Sequence, residues 1–163
     1  MSEPRFPDEP LFVPAELELR YRYGAGREAS HYLNGLKENM AFEGTHCPKC
    51  QRVYLPPRPV CGICYVECDG WVPVGPEGTI TGATVVEVPF VDPITGEQRP
   101  VPYGFAFILL DGASTNIFHF VDETDRTKLA VGMRVRPRFR AERTGSITDV
   151  EGFDLIRSTG ETT

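Results

Sequence analysis

The sequence predicts a mainly β chain in three parts: an N-terminal helical arm, a four-cysteine metal ribbon and a five-stranded C-terminal barrel. Three observations predict it. Two C-x-x-C pairs, Cys47-Pro48-Lys49-Cys50 and Cys61-Gly62-Ile63-Cys64, stand with ten residues between them. Ahead of them, Ala29, Tyr32, Leu33, Leu36 and Met40 recur at helical spacing. Behind them the chain becomes rich in β-branched and aromatic residues, broken by Gly- and Asp-containing turns.

The arm comes first, residues 1–44 with its docking helix. Its opening stretch, 1–24, is rich in Pro, Glu and Arg. Leu17, Leu19, Tyr21 and Tyr23 alternate there with Glu18, Arg20 and Arg22, a strand-like period of two. Over 27–42 the period changes to i, i+3, i+4, i+7 and i+11, one apolar stripe on a helix. Gly35 weakens that helix by about 1 kcal/mol relative to Ala, so packing must hold it. Such a stripe covers either the chain's own core or another subunit. Its place ahead of the metal module favours an outward role, which makes Tyr32, Leu33, Leu36 and Met40 the candidate docking residues.

The ribbon follows over 45–71. Each C-x-x-C turn lets two thiolates converge on one ion, and the ten residues between suffice for a hairpin. Four thiolates in a tetrahedron close the shell of Zn²⁺, which predicts a structural zinc held by Cys47, Cys50, Cys61 and Cys64, with no open position to activate water. Disulfides are the weaker reading. Residues 1–14 lack the apolar core of a signal peptide. No apolar run approaches the ~20 residues that span a bilayer, so a cytoplasmic chain with reduced thiols is expected. Cys68 reads as a spare small apolar residue. His46 abuts Cys47, whose spacing already serves as ligand. Between the pairs, 52–55 is a short strand and Pro56-Pro57-Arg58-Pro59 a stiff connector.

The barrel is expected over 72–157. Residues 78–88 form a first strand bent at Gly82. Segments 103–110 and 115–121 pair through the turn Asp111-Gly112-Ala113-Ser114, and 122–130 reads as a short helical turn. In 133–141, Val135, Pro137, Phe139 and Ala141 alternate with Arg134, Arg136, Arg138 and Arg140, an apolar face against an arginine row. A last strand covers 152–157, and 158–163 is a flexible tail. Five strands, a bent first strand and a helical connection before the fourth add up to a partly open Greek-key barrel of OB type. The loop 89–102 carries four prolines, stiff enough to hold a shape for a ligand or partner.

Charge and histidine usage narrow the function. The chain carries a net −6, a poor start for neutralising nucleic-acid phosphates. Basic residues do cluster locally, as Lys49, Arg52 and Arg58 in the ribbon and as Arg134, Arg136, Arg138, Arg140 and Arg143 later. Nucleic acid is disfavoured as a partner, and membrane is excluded. His31, His46 and His119 lie in no recognised nucleophile or base constellation, and no phosphate-binding loop precedes a helix. Nothing argues for independent catalysis. Two alternatives remain: a single-stranded nucleic-acid binder stacking bases on Phe105, Phe107, Phe118 and Phe120, and a rubredoxin-like electron carrier.

The order of parts resembles a known family. A helical arm, Cys47-x-x-Cys50, Pro56-Pro57-Arg58, Cys61-x-x-Cys64, a Trp71-containing link and Gly78-Thr79-Ile80 are similar in series to the thiolase-associated zinc-ribbon/OB-fold proteins, the "domain of unknown function 35" class. The resemblance covers about 25–157. It implies a rubredoxin-like zinc ribbon and a non-catalytic or co-catalytic subunit of a thiolase-like acyl-CoA complex. It implies docking by helix and ribbon, and help in binding the CoA moiety. Lys49, Arg52 and Arg58 are then candidates for the CoA phosphates. Two departures stand out: a longer arm, and Gln51 where the first knuckle often has glycine. The second argues against iron, because a small residue there lets backbone N–H groups approach the sulfurs.

Overall fold

A computed structural model describes residues 23–91, 96 and 98–156. The strand-like pattern over 17–22 and the 158–163 tail lie outside them. The chain is mainly β. Helix α1 covers Arg27–Asn34 and passes into a π-helical turn, Gly35–Asn39, that Met40 ends in a left-handed conformation (φ 52°). The helix is shorter than its stripe because the chain must reverse at Met40 to enter a strand at Phe42. His31 fixes the helix to the ribbon sheet: its ring stacks on Trp71 at 3.8 Å, and its Nε2 lies 2.8 Å from a carboxylate oxygen of Glu43.

The apolar stripe turns inward. Leu36 is fully buried and Tyr32 nearly so, while Leu33 packs partly against the same core. Of the four candidate docking residues, Tyr32 and Leu36 are therefore spent on the chain's own interior; Met40, 49 % exposed, is the one that faces out. The sequence position of the helix misled here, because the strands after the ribbon fold back beneath it.

Strands β1 (Phe42–His46), β2 (Val53–Tyr54) and β3 (Asp69–Val74) form an antiparallel sheet in the order β2-β1-β3. The expected boundaries after 44 and 71 fall inside β1 and β3. Gly44 lets β2 come close, since a Cβ there would sit 2.7 Å from the Tyr54 carbonyl oxygen.

Strands β4 (Gly78–Val86), β5 (Tyr103–Leu110), β6 (Ile117–Val121), β7 (Arg134–Phe139) and β8 (Val150–Leu155) close a barrel in the order β4-β5-β6-β8-β7. All neighbours are antiparallel except β6 and β8. The register slips between Ile80 and Gly82, as the glycine predicts. Two expectations are corrected. The barrel is closed, through Gly78 opposite Val135 and Thr79 opposite Arg134. The helical connection before the fourth barrel strand is only a turn, in which Asp125 accepts the Thr127 amide at 2.9 Å. A 3-10 turn, Ile147–Asp149, stands instead before the fifth.

One core joins arm, ribbon and barrel. Tyr32 and Leu36 from the arm, Phe42, Val53 and Leu55 from the ribbon, and Ile80, Ile108, Val135 and Phe153 from the barrel belong to a single buried cluster. The β5–β6 turn adds a polar clamp: Ser114 and Thr115 bond the backbone of Val53 and Leu55 at 2.8–3.1 Å. The ribbon is thus seated on the barrel.

Asp149 organises the β7–β8 loop. It is 1 % exposed and its carboxylate accepts the amides of Thr144 (2.9 Å), Gly145 (2.8 Å) and Ser146 (3.2 Å). Burial alone would raise its pKa, but those three N–H groups outweigh it and hold the carboxyl below its ordinary 3.8. The unfolded carboxyl binds a proton at higher pH than the folded one. The stabilisation is therefore complete above about pH 4 and fades as pH falls through the folded value. Asp149→Asn should cost about 2 kcal/mol at pH 7, by loss of charge-assisted bonds. In urea titrations the gap between variant and parent should narrow towards pH 2; a gap independent of pH rules the carboxylate's charge out of the loop's stability.

Candidate metal centre and exposed surfaces

The two knuckles are near copies of each other. In the first, Cys47 N donates to Arg52 O (2.8 Å) and Gln51 N to Cys47 O (2.9 Å). In the second, Cys61 N donates to Val66 O (2.9 Å) and Tyr65 N to Cys61 O (3.0 Å). Each turn aims its two sulfurs to the same side. The four Sγ atoms of Cys47, Cys50, Cys61 and Cys64 all lie within 4.8 Å of one another, and Cys50 and Cys61 are 3.7 Å apart. A tetrahedron with Zn–S bonds of about 2.3 Å has edges of about 3.8 Å, so the cluster has the size of a four-thiolate metal site. Cys47 and Cys61 are fully buried; Cys50 and Cys64 are half-buried. Four protein ligands leave no coordination position for substrate.

The residue after each knuckle's second cysteine takes a left-handed conformation, Gln51 at φ 61° and Tyr65 at φ 55°. Glycine adopts this at no steric cost; a side chain there costs on the order of 1 kcal/mol or more. Gln51 offsets that cost. Its amide nitrogen donates to Pro48 O (2.8 Å) and its amide oxygen lies 3.1 Å from His46 Nε2. His46 Nδ1 meets Asp69 at 3.0 Å, which raises the imidazole's pKa. Both nitrogens of His46 are thus engaged away from the metal site.

Tyr54 is the residue that sequence reasoning missed. Its buried hydroxyl lies 3.1 Å from Cys61 Sγ, an O–H donor for a thiolate. That bond holds the Cys61 thiol down to about 6 and pushes the phenol up to about 12. The Cys64 amide also points at Cys61 Sγ, at 3.3 Å. Burial and the neighbouring thiols push Cys64 the other way, to about 12. Of these two thiols, Cys61 is the more readily ionised. A tyrosine between two C-x-x-C pairs gives no such signal in sequence, because the contact depends on how β2 passes the second knuckle.

The two basic clusters fare differently. Arg134 pairs with Asp111 and Glu77, Arg136 with Glu77, and Arg138 with Asp122, Glu151 and Asp154. Arg143 is spent on the backbone carbonyls of Lys37, Arg140 and Ala141. Three of the row's four arginines, Arg134, Arg136 and Arg138, are thus paired with carboxylates. Lys49, Arg52 and Arg58 are exposed, and none makes an ion pair among the described residues. Arg58 also sits over the Tyr54 ring, 5.5 Å from its centroid. The ribbon thus gathers three cations without ion pairs among the described residues.

The outer face of β5 and β6 carries a chain of rings. Tyr103 and Phe120 are 5.5 Å apart, Phe120 and Phe105 5.6 Å, Phe105 and Phe118 6.1 Å, and Phe118 and Phe107 6.1 Å. Phe118 is 65 % exposed and Phe107 52 %. Arg99, from the proline-rich loop, lies 3.6 Å over the Phe120 ring. An aromatic surface of this kind commonly marks a binding face. Among the described residues no helix is long and apolar enough to cross a membrane.

A family profile described as "ChsH2, C-terminal OB-fold domain" matches residues 71–140. The chain carries a DUF35-type OB fold. Among the solved structures that share its fold are these two. One is a protein of unknown function from the DUF35 family of Sulfolobus solfataricus, 19 % identical, with a TM-score of 0.56 over 80 % of this chain and 84 % of that one. The other is described as an "Ltp2-ChsH2(DUF35) aldolase", 18 % identical, with a TM-score of 0.57 over 82 % of this chain and 97 % of that one. A comparison with curated proteins returns no match. The DUF35-type barrel behind a four-cysteine ribbon agrees with the order of motifs in the sequence.

Proposed function

We propose that the chain is a zinc-containing, non-catalytic or co-catalytic subunit of a thiolase-like complex that makes or breaks a carbon–carbon bond on a CoA thioester. It docks on the thiolase-like chain and lends charge to the CoA site. The observation that carries this reading is the segregation of charge. In a chain of net −6, Arg134, Arg136 and Arg138 of the barrel are paired with carboxylates, while Lys49, Arg52 and Arg58 stand together on the ribbon with no ion pair among the described residues. Such a cluster suits the phosphates of a small ligand better than a long polyanion. The fold shared with a DUF35 chain from an aldolase supports the setting. The ring face on β5 and β6, with Met40 beside the arm, supplies apolar surface for a large partner. Four thiolates in a closed shell support a structural zinc.

The test is co-expression with a thiolase-like chain encoded beside this one. A stable hetero-oligomer in light scattering is expected, and the triple variant Lys49→Gln, Arg52→Gln, Arg58→Gln should weaken CoA binding by that complex about tenfold. A monomer that ignores the partner with and without CoA ends the proposal. The ring face also favours a second reading, stacking of single-stranded nucleic acid. Salt-dependent oligonucleotide binding supports that one; its absence at low salt disposes of it.

A further inference from the structure

The one parallel pair in the barrel leaves an opening. Strands β6 and β8 are in register only at Val121 opposite Phe153, and towards Ile117 and Val150 they part. A cleft of about 370 Å³ occupies the gap, apart from the metal centre. Ile117, Phe120 and Val150 are among its walls, and Phe42 and Tyr32 line it from the core side. This is space enough for a compact organic molecule, and its walls are mostly hydrocarbon.

Its charged groups are few and lopsided. Arg99 and Arg140 both line it, as does Glu151. Glu151 is already engaged by Arg138 at 3.0 Å. Arg140 is exposed and forms no ion pair among the described residues, although the other barrel arginines of its row are paired. The cleft therefore offers positive charge at an apolar cavity. His119 stands in the wall with Nδ1 buried and without a hydrogen-bond partner among the described residues. Burial lowers its pKa, so it adds no charge of its own.

We propose that the cleft between β6 and β8 binds a small amphipathic organic anion, a carboxylate on a compact apolar body, with Arg140 and Arg99 meeting the carboxylate and Ile117, Phe120 and Val150 the hydrocarbon. This site is separate from the ribbon cations and does not depend on the complex proposed above.

The probe is 3-phenylpropanoate, with its neutral amide as control, titrated into the zinc-loaded full chain and followed by side-chain NMR. Saturable shifts are expected at the His119 ring and at the methyls of Ile117 and Val150. The amide should bind about fivefold more weakly, the effect of losing one half-exposed ion pair. Arg140→Gln, an exposed change that leaves the core intact, should weaken the acid about fivefold and the amide hardly at all. Shifts confined to Tyr103 and Phe107, rings of the outer face that do not line the cleft, place the probe outside it and overturn the proposal. Equal binding of acid and amide, or no binding at millimolar concentrations, overturns it too.

Discussion

Removing the metal, or replacing Cys61 by serine, is expected to unfold the ribbon and lower the stability of the whole chain. Structural zinc supplies on the order of 10 kcal/mol in small modules, comparable with the entire stability of an ordinary domain. The ribbon sheet has little else: β2 is two residues long, and its second buried cluster consists of Cys47, Cys61 and Tyr54. Cys61→Ser removes a ligand and the acceptor of the Tyr54 hydroxyl together. The damage spreads because Val53 and Leu55 share a core with Ile80 and Ile108, and because Ser114 and Thr115 bond to their backbone. Metal analysis should give one zinc per chain in a colourless protein. A strong chelator should lower the melting temperature by more than 15 °C, given about 2–4 °C per kcal/mol at this size. Cys68→Ser, outside the cluster of four, should keep both the metal and the melting temperature. A chain that stays folded without metal, or a red iron form with reversible redox chemistry, refutes the structural zinc.

The parts of the fold that local pattern controls were legible in the sequence. The four ligands follow from doubled spacing, and Gly82 announced the bend in β4 because a residue lacking Cβ rarely sits mid-strand without cause. What could not be read was tertiary. The stripe Tyr32-Leu33-Leu36 looks the same whether it covers this chain or another, and only the return of β4–β8 beneath it decided for the interior. The arginine row looked like a basic surface, yet its carboxylates come from Glu77, Asp111, Glu151 and Asp154, distant in sequence and adjacent by barrel closure. The closure itself rests on a contact of two residue pairs between β4 and β7 that leaves no local signature. The cleft beside His119 likewise arises from the splay of a parallel pair. Strand pairing over long separations carries such features, and single-sequence periodicity does not encode it.

Phe42→Ala is expected to destabilise ribbon and barrel together by about 3–5 kcal/mol, the range for deleting a buried phenylalanine. Phe42 opens β1, is 2 % exposed, and meets Phe139 of β7 at 5.7 Å and Phe153 of β8 at 6.4 Å. It is the point at which the ribbon sheet enters the barrel core, so its loss opens a cavity that neither part can close alone. The chain's one tryptophan, Trp71, lies in β3 beside β1 and reports on the ribbon, while far-UV circular dichroism reports mainly on the barrel. In urea the two probes should move to lower midpoints and remain coincident, as a single cooperative unit requires. Met40→Ser, on the exposed side of the same turn, should change stability by less than about 0.5 kcal/mol. A variant in which only the tryptophan signal shifts, with the barrel transition unmoved, shows the shared core to be two independent ones. That result also removes the reason for the metal's effect to reach beyond the ribbon, because the same contacts transmit both.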